Sequence, residues 1–208
     1  MAARVLLIRH AQSAWNAAGR WQGWADPPLS PAGEAEALAA AADPLLAEID
    51  AAVASDLERA RRTAEIIAGG RDLGPVRTFR GLRERGAGEW TGLTRHEIEL
   101  GWPGVLGGPV LHIPGGESAA AVTSRAVATL HRIADEWDGR WVLAVSHGAL
   151  IRLVEQYCGT EPVGVRNLAG RWVDVGPDGL ELGEAVELGP KAAAAVAPDA
   201  PVRSEQVG

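Results

Sequence analysis

His10 and His147 each stand at the end of a short apolar run, where a fold can expose a reactive side chain. His10 follows Arg9 after Arg4-Val5-Leu6-Leu7-Ile8, and His147 lies between Ser146 and Gly148 after Trp141-Val142-Leu143-Ala144-Val145. Such runs, apolar without alternation, are the pattern of strands covered on both faces in a parallel sheet. Ligands of these sheets bind beyond the carboxyl ends of the strands. Two imidazoles there project into one crevice, with main-chain N–H groups facing it, an arrangement suited to holding and attacking a polar ligand. One histidine after a strand is as readily structural; its repetition shifts the weight toward chemistry.

The elements that must position these residues alternate. Ser30 as N-cap and Pro31 at the first helical position introduce a helix over 32–46, with Pro44 a break within it. Residues 49–54 form a second short strand. Ser55 and Asp56 then cap a helix carrying Leu57, Ala60, Ala64, Ile67 and Ala68, stopped by Gly69-Gly70. Residues 75–114 are rich in Gly and Arg, with a weak strand at 76–79 and a short helix at 94–100. A helix is expected from the Gly115-Gly116-Glu117-Ser118 segment to Trp137, with Ala121, Val122, Arg125, Ala126, Leu130 and Ile133 in helical period, and another over 149–158. Residues 166–175 and 180–188 read as strands joined across Gly176-Pro177-Asp178-Gly179. The expected fold class is α/β: a three-layer sandwich, a mostly parallel sheet flanked by helices, with an antiparallel edge hairpin. One domain is expected over 1–188, with an insertion at about 80–115 covering the site and a disordered tail at 189–208.

Composition narrows the classes. The chain has 208 residues, 47% hydrophobic and 23% charged, with a net charge of −7. These figures suit a globular domain with a core of its own and give no basic field for nucleic acid. All of the 20 basic residues except Lys191 are arginine, a bias that GC-rich coding also produces. Cys158 is the only cysteine, which excludes an internal disulfide and a cysteine zinc knuckle, and points to a reducing compartment. No membrane span or signal peptide is read, and a cytoplasmic location is expected. Gly86-Ala87-Gly88 lacks the preceding buried strand of a dinucleotide loop, His96-Glu97 lacks a second histidine one turn on, and no Gly-x-x-x-x-Gly-Lys occurs.

Five segments carry a resemblance. Leu7-Ile8-Arg9-His10-Ala11-Gln12-Ser13 with Trp15-Asn16 resembles the signature of the histidine phosphatase superfamily, the phosphoglycerate-mutase-like proteins. Ser55-Asp56-Leu57-Glu58-Arg59-Ala60-Arg61-Arg62-Thr63-Ala64 is similar to that family's second arginine motif. Leu82-Arg83-Glu84-Arg85-Gly86-Ala87-Gly88-Glu89-Trp90-Thr91-Gly92 is similar to its acid-bearing segment. Gly115-Gly116-Glu117-Ser118 resembles the start of its long helix, and Val145-Ser146-His147-Gly148 its second histidine. Ala11 stands where the family more often has glycine, which a negative φ tolerates.

The resemblance implies a division of labour. His10 is the nucleophile, Arg9 and Arg59 grip the phosphoryl group, His147 adds a further contact, and Glu84 handles the proton. Arginine's fork of donors matches phosphate oxygens, and each charge pair at about 4 Å is worth roughly 4 kcal/mol at an effective dielectric near 20, before desolvation. A neutral imidazole in line with phosphorus forms a phosphohistidine, and neither metal nor cofactor is required. An alkoxide leaves once a proton reaches it, and Glu84 is the candidate donor, with Glu89 the competing carboxylate. Asn16, Gln22 and Ser13 resemble polar positions lining the phosphate pocket, Ser13 being equally a cap for the next turn. Gly148 offers a main-chain amide at a helix start.

Trp21, Trp24, Trp90 and Trp102 either stack on an organic leaving group or close the insertion; Trp137, Trp141 and Trp172 are assigned to the core. Arg83, Arg85, His112 and Glu117 suggest a polar substrate, although His112 reads equally as an exposed loop residue. The function implied is a metal-independent phosphomonoesterase for a small phosphorylated metabolite, with a homodimer as the family's frequent state. The alternatives are a phosphoglycerate mutase and a non-catalytic phospholigand-binding protein. Only residues 91–114 separate the acid segment from Gly115, a shorter cover than mutases of this kind carry, and that favours hydrolysis.

Overall fold

The computed structural model describes residues 3–107, 111–161 and 164–189. The expected tail lies, apart from Gly189, outside the described residues. Strand β1 (Ala3–Arg9) occupies the middle of a six-stranded sheet because its apolar residues need cover on both faces. It pairs in parallel with β4 (Trp141–Ser146), and β4 in parallel with β2 (Ala51–Ala54), which pairs with the short β3 (Arg77–Thr78). On its other side β1 pairs antiparallel with β5 (Ala169–Gly176), which pairs with β6 (Gly179–Glu187) at the edge. The order is β3-β2-β4-β1-β5-β6. The fold is therefore the expected α/β arrangement, with its antiparallel hairpin at one edge.

Period-two alternation divides the strands between two apolar layers. Val5 and Leu7 of β1, with Val142 and Ala144 of β4, meet Val122, Ala126, Leu130 and Ile133 of α5 (Ala119–Glu136) and Leu150, Ile151 and Val154 of α6 (Gly148–Tyr157). Leu6, Ile8, Leu143 and Val145 face the other way, onto the alanine-rich α2 (Pro31–Ala40) and α3 (Glu58–Arg71). A missing side chain lets α2 approach the segment after β1 closely: an added Cβ at Gly33 would lie 2.0 Å from the Gln12 carbonyl oxygen. The short helices α1 (Ala14–Ala17) and α4 (Arg95–Gly101) lie in the connections. Among the described residues no helix is long and apolar enough to cross a membrane.

Several boundaries differ from the sequence expectation. Helix α2 ends at Ala40, and Pro44 opens a separate 3-10 turn, Pro44–Leu46, capped by Asp43. Helix α3 begins at Glu58, later than Ser55-Asp56 suggest, because the Asp56 carboxylate is drawn to Arg83 while Asp26 accepts the Glu58 N–H at 2.7 Å. It passes through Gly69-Gly70 to Arg71 and stops at Asp72, whose φ of 55° is left-handed. Helical glycine costs only about 1 kcal/mol against alanine, which the packed face of α3 overrides. Strand β5 starts at Ala169 because residues 166–168 turn, with Leu168 at φ 58°.

The segment after β3 is built from the 3-10 turns Arg80–Leu82, Gly88–Trp90 and Val105–Gly107 together with α4. It has an apolar cluster of its own, Trp90, Ile98 and Ile113, against which Trp21, Leu93 and Trp102 pack. Trp90 meets Trp21 edge to face at 5.3 Å and Trp102 at 6.0 Å. Of the two readings of these rings, the structure gives Trp21, Trp90 and Trp102 the closing one. Trp24 alone of the four is half exposed, at 50%.

Candidate active site

The parallel strands β1, β2 and β4 release the chain at one end of the sheet. The His10 N–H donates to the Ser146 carbonyl, and the Ser55 N–H to the Val145 carbonyl, so the residues following β1, β2 and β4 converge there. His10 and His147 are buried with ring centroids 5.1 Å apart. His10 Nδ1 lies 2.7 Å from the Ala11 carbonyl oxygen. Because a carbonyl can only accept, Nδ1 carries the hydrogen and Nε2 keeps its lone pair. Asn167 fixes the same residue from behind, donating to the His10 carbonyl at 2.7 Å. Ala11 is buried, has no positive φ, and donates its N–H to Thr63 Oγ1.

Arg59, on the first turn of α3, is fully buried and donates from Nε to His10 Nε2 at 3.2 Å. Its other nitrogens donate to the Ala25 and Gly23 carbonyls at 2.8 and 2.9 Å, and Asp26 lies 3.8 Å away. Burial pushes Arg59 down to about 10, against the charges of Glu84 and Asp26, so it remains a cation at neutral pH. Arg9 donates to the Val165 carbonyl at 2.8 Å, and burial lowers its pKa too, opposed by Glu84. Burial, then the Arg59 and Arg9 charges, hold His10 well below an imidazole's ordinary range. His147 is held down in the same way by burial and then by Arg59, His10, Arg9 and Arg125. Both rings are neutral.

His147 is the N-cap of α6, and neither of its buried ring nitrogens has a partner among the described residues. A buried polar ring left so requires an explanation, and a ligand is one. Glu84 closes the group, its Oε1 accepting from the Arg85 N–H at 2.8 Å and its Oε2 lying 3.4 Å from the Ala149 N–H. Arg9, Arg59, His10, His147 and Glu84 thus gather two cations, two neutral imidazoles and one carboxylate at this end of the sheet. That arrangement can hold a dianion, attack it through Nε2 and exchange a proton at Glu84. The rival Glu89 is exposed on its 3-10 turn.

The remaining predicted residues divide. Ser13 caps α1, and its hydroxyl lies within hydrogen-bond distance of Asn16 Oδ1 and Gln22 Oε1; Asn16 Oδ1 is also 3.5 Å from Asn167 Nδ2. These side chains form a polar network behind His10. Gly148 opens α6 beside Arg9, where an added Cβ would make only ordinary contacts at 3.6 Å. Arg83 is engaged by Asp56 through two 2.7 Å bonds. Trp21 packs on the insertion's cluster, and His112 is exposed. Asp26, Asn167 and Arg125 were not foreseen. Only Arg125 left a signal, a charge in the apolar stripe of α5, since a half-buried charge needs partners.

Residues 5–171 match the histidine phosphatase superfamily, branch 1. The chain is 39% identical over 171 residues, 79% of each chain, to the probable phosphoglycerate mutase GpmB of Cronobacter sakazakii. It is 31% identical over 160 residues, 74% of each, to phosphoserine phosphatase 1 of Hydrogenobacter thermophilus. A mycobacterial glucosyl-3-phosphoglycerate phosphatase solved with VO3 superposes with a TM-score of 0.76 at 28% identity, over 86% of this chain and 96% of that one. Sequence and fold agree, and the chain belongs to the histidine phosphatase superfamily, branch 1.

Proposed function

We propose that this chain is a metal-independent phosphomonoesterase that hydrolyses a small phosphorylated metabolite through a phosphohistidine. The observation that carries the reading is the unprotonated Nε2 of a buried His10, set 3.2 Å from Arg59 Nε and facing an unpartnered His147. Arg9, Arg59 and His147 bind the phosphoryl oxygens. His10 Nε2 forms a bond to phosphorus as the ester P–O bond breaks, and Glu84 gives its proton to the departing oxygen. Water then attacks the phosphohistidine, Glu84 takes a proton from it, and His10 leaves with its lone pair restored. Two guanidiniums and an imidazole supply the charge stabilisation that phosphoryl transfer needs.

Hydrolysis is favoured over mutase activity by the short cover, residues 91–114, and phosphatases stand among the relatives beside a mutase. A cleft of about 420 Å³ is lined by Trp24, Gly86, Gly88, Gly116 and Glu117, on the segment that follows Glu84. In the test, His10→Ala abolishes p-nitrophenyl phosphate turnover and the acid-labile phosphoenzyme; unchanged turnover removes His10 from the reaction. Efficient interconversion of 3- and 2-phosphoglycerate with a trace of bisphosphate would reassign the chain as a mutase.

A further inference from the structure

Arg125 belongs to α5, yet its guanidinium reaches the segment that carries Glu84 and the Glu117 carboxylate. Nη1 donates to the carbonyls of Gly81 and Arg83 at 2.8 and 2.6 Å, and Nη2 to the carbonyl of Glu84 at 2.9 Å. Nε and Nη2 each donate to Glu117, both at 2.8 Å. Those are five bonds for the five N–H donors that an arginine has. Lysine, with three donors on one atom, cannot reproduce the fork.

Glu117 completes the clamp. Its Oε2 also accepts the Gly86 N–H at 3.2 Å, so the chain is tied on both sides of Glu84. Burial works to raise the Glu117 pKa, but the hydrogen bonds and charge of Arg125 outweigh it, and the carboxyl stays ionised as a counter-ion. Trp24 adds a further hold, its Nε1–H donating to the Glu84 carbonyl at 2.8 Å, and Ser146 Oγ donates to the Leu82 carbonyl at 2.8 Å. The main chain of 81–86 is therefore pinned to α5, to β4 and to the Trp24 loop. Among the described residues the Glu84 carboxyl accepts from two main-chain N–H groups, of Arg85 and Ala149.

We propose that Arg125, with Glu117 as its counter-ion and Trp24 as an accessory, is a positioning residue for Glu84 in proton donation. This rests on the reading of Glu84 as the acid of the proposed reaction. A carboxyl displaced by an ångström no longer reaches the leaving oxygen, whereas phosphate binding through Arg9, Arg59 and His147 is untouched. Loss of the clamp is therefore expected in the chemistry of poor leaving groups and not in KM.

The experiment compares Arg125→Lys, Trp24→Phe and Glu84→Gln on O-phosphoserine, whose alkoxide needs a proton, and on p-nitrophenyl phosphate, whose nitrophenolate leaves without one. Arg125→Lys is expected to lower kcat on phosphoserine at least about tenfold, a part of the roughly 10²–10⁴-fold that general acid catalysis supplies, with KM and the nitrophenolate burst held within about threefold. Trp24→Phe keeps the ring over Arg83 and removes one bond at a half-exposed site, so it folds even if Arg125→Lys does not. It is expected to show the same selectivity at about two- to fivefold. Equal losses on both substrates, or none on either, in these two variants while Glu84→Gln is selective overturn the positioning role and leave the acid in place. A Glu84→Gln variant without selectivity removes the acid, and the positioning role with it.

Discussion

At the residue scale, the charge state of His10 decides what the site can do. A protonated imidazole has no lone pair for phosphorus, and here burial and then the Arg59 and Arg9 charges keep the ring neutral well below its ordinary range. The acid limb of kcat/KM, which reports the free enzyme, is therefore expected to lie below pH 6.5, the ordinary imidazole value. A pH profile on p-nitrophenyl phosphate checks this, and a limb at or above 6.5 would contradict a buried, neutral nucleophile. His10, Arg9, Arg59, Glu84 and His147 were legible in the sequence because each lies in a short local pattern, and the structure brings them together. The partner of Arg83 and the choice between the two readings of Trp21 were not legible, because a residue's partner can lie far along the chain. Asp56 is 27 residues before Arg83, and Trp90 cannot be seen from Trp21.

At the element scale, the alternation of apolar runs and capped helices was enough to give the sheet and its two faces. Strands buried on both sides and Ser-Pro or Ser-led helix starts are local signals, and they survive in β1, β4, α2 and α5. Helix ends were less legible, because tertiary packing outweighs the propensity of one or two residues. Gly69-Gly70 shows this and supplies a test. An added Cβ at Gly69 meets nothing within 4 Å, whereas at Gly70 it would lie 2.8 Å from Ala41 Cβ. Gly69→Ala is expected to stabilise the protein by about 0.5–1 kcal/mol through helix propensity and a less free unfolded chain. Gly70→Ala is expected to gain less or to destabilise, because α2 stands in the way. Urea denaturation of both variants checks the pair, and equal gains would mean that α2 and α3 are not closely packed there.

At the scale of the whole molecule, a chain of net charge −7 has gathered Arg9, Arg59 and two neutral histidines at one sheet end, and that concentration links stability to pH. Burial is the first cause of the depressed pKa of both His10 and His147, with neighbouring guanidiniums next. In the unfolded chain these imidazoles take up protons as pH falls through about 6.5, while in the folded protein they do so only at lower pH. Between those values the unfolded state binds more protons. Stability is therefore full above about 6.5 and decreases on acidification, by up to about 1.4 kcal/mol per pH unit for each ring until the folded-state pKa is reached. A dianion in the site reverses the electrostatics for His147 and binds only the folded state, adding RT ln(1 + [L]/Kd) of stability. Melting curves from pH 5 to pH 8, with and without orthovanadate, are expected to show an acid-sensitive free protein. Vanadate is expected to raise Tm in the parent and not in Arg59→Met, whose lost guanidinium is the group that holds both the anion and His10 Nε2. A free protein as stable at pH 5 as at pH 7.5 would mean that the two rings are not buried neutral groups. An equal vanadate shift in Arg59→Met would place the anion somewhere other than between them.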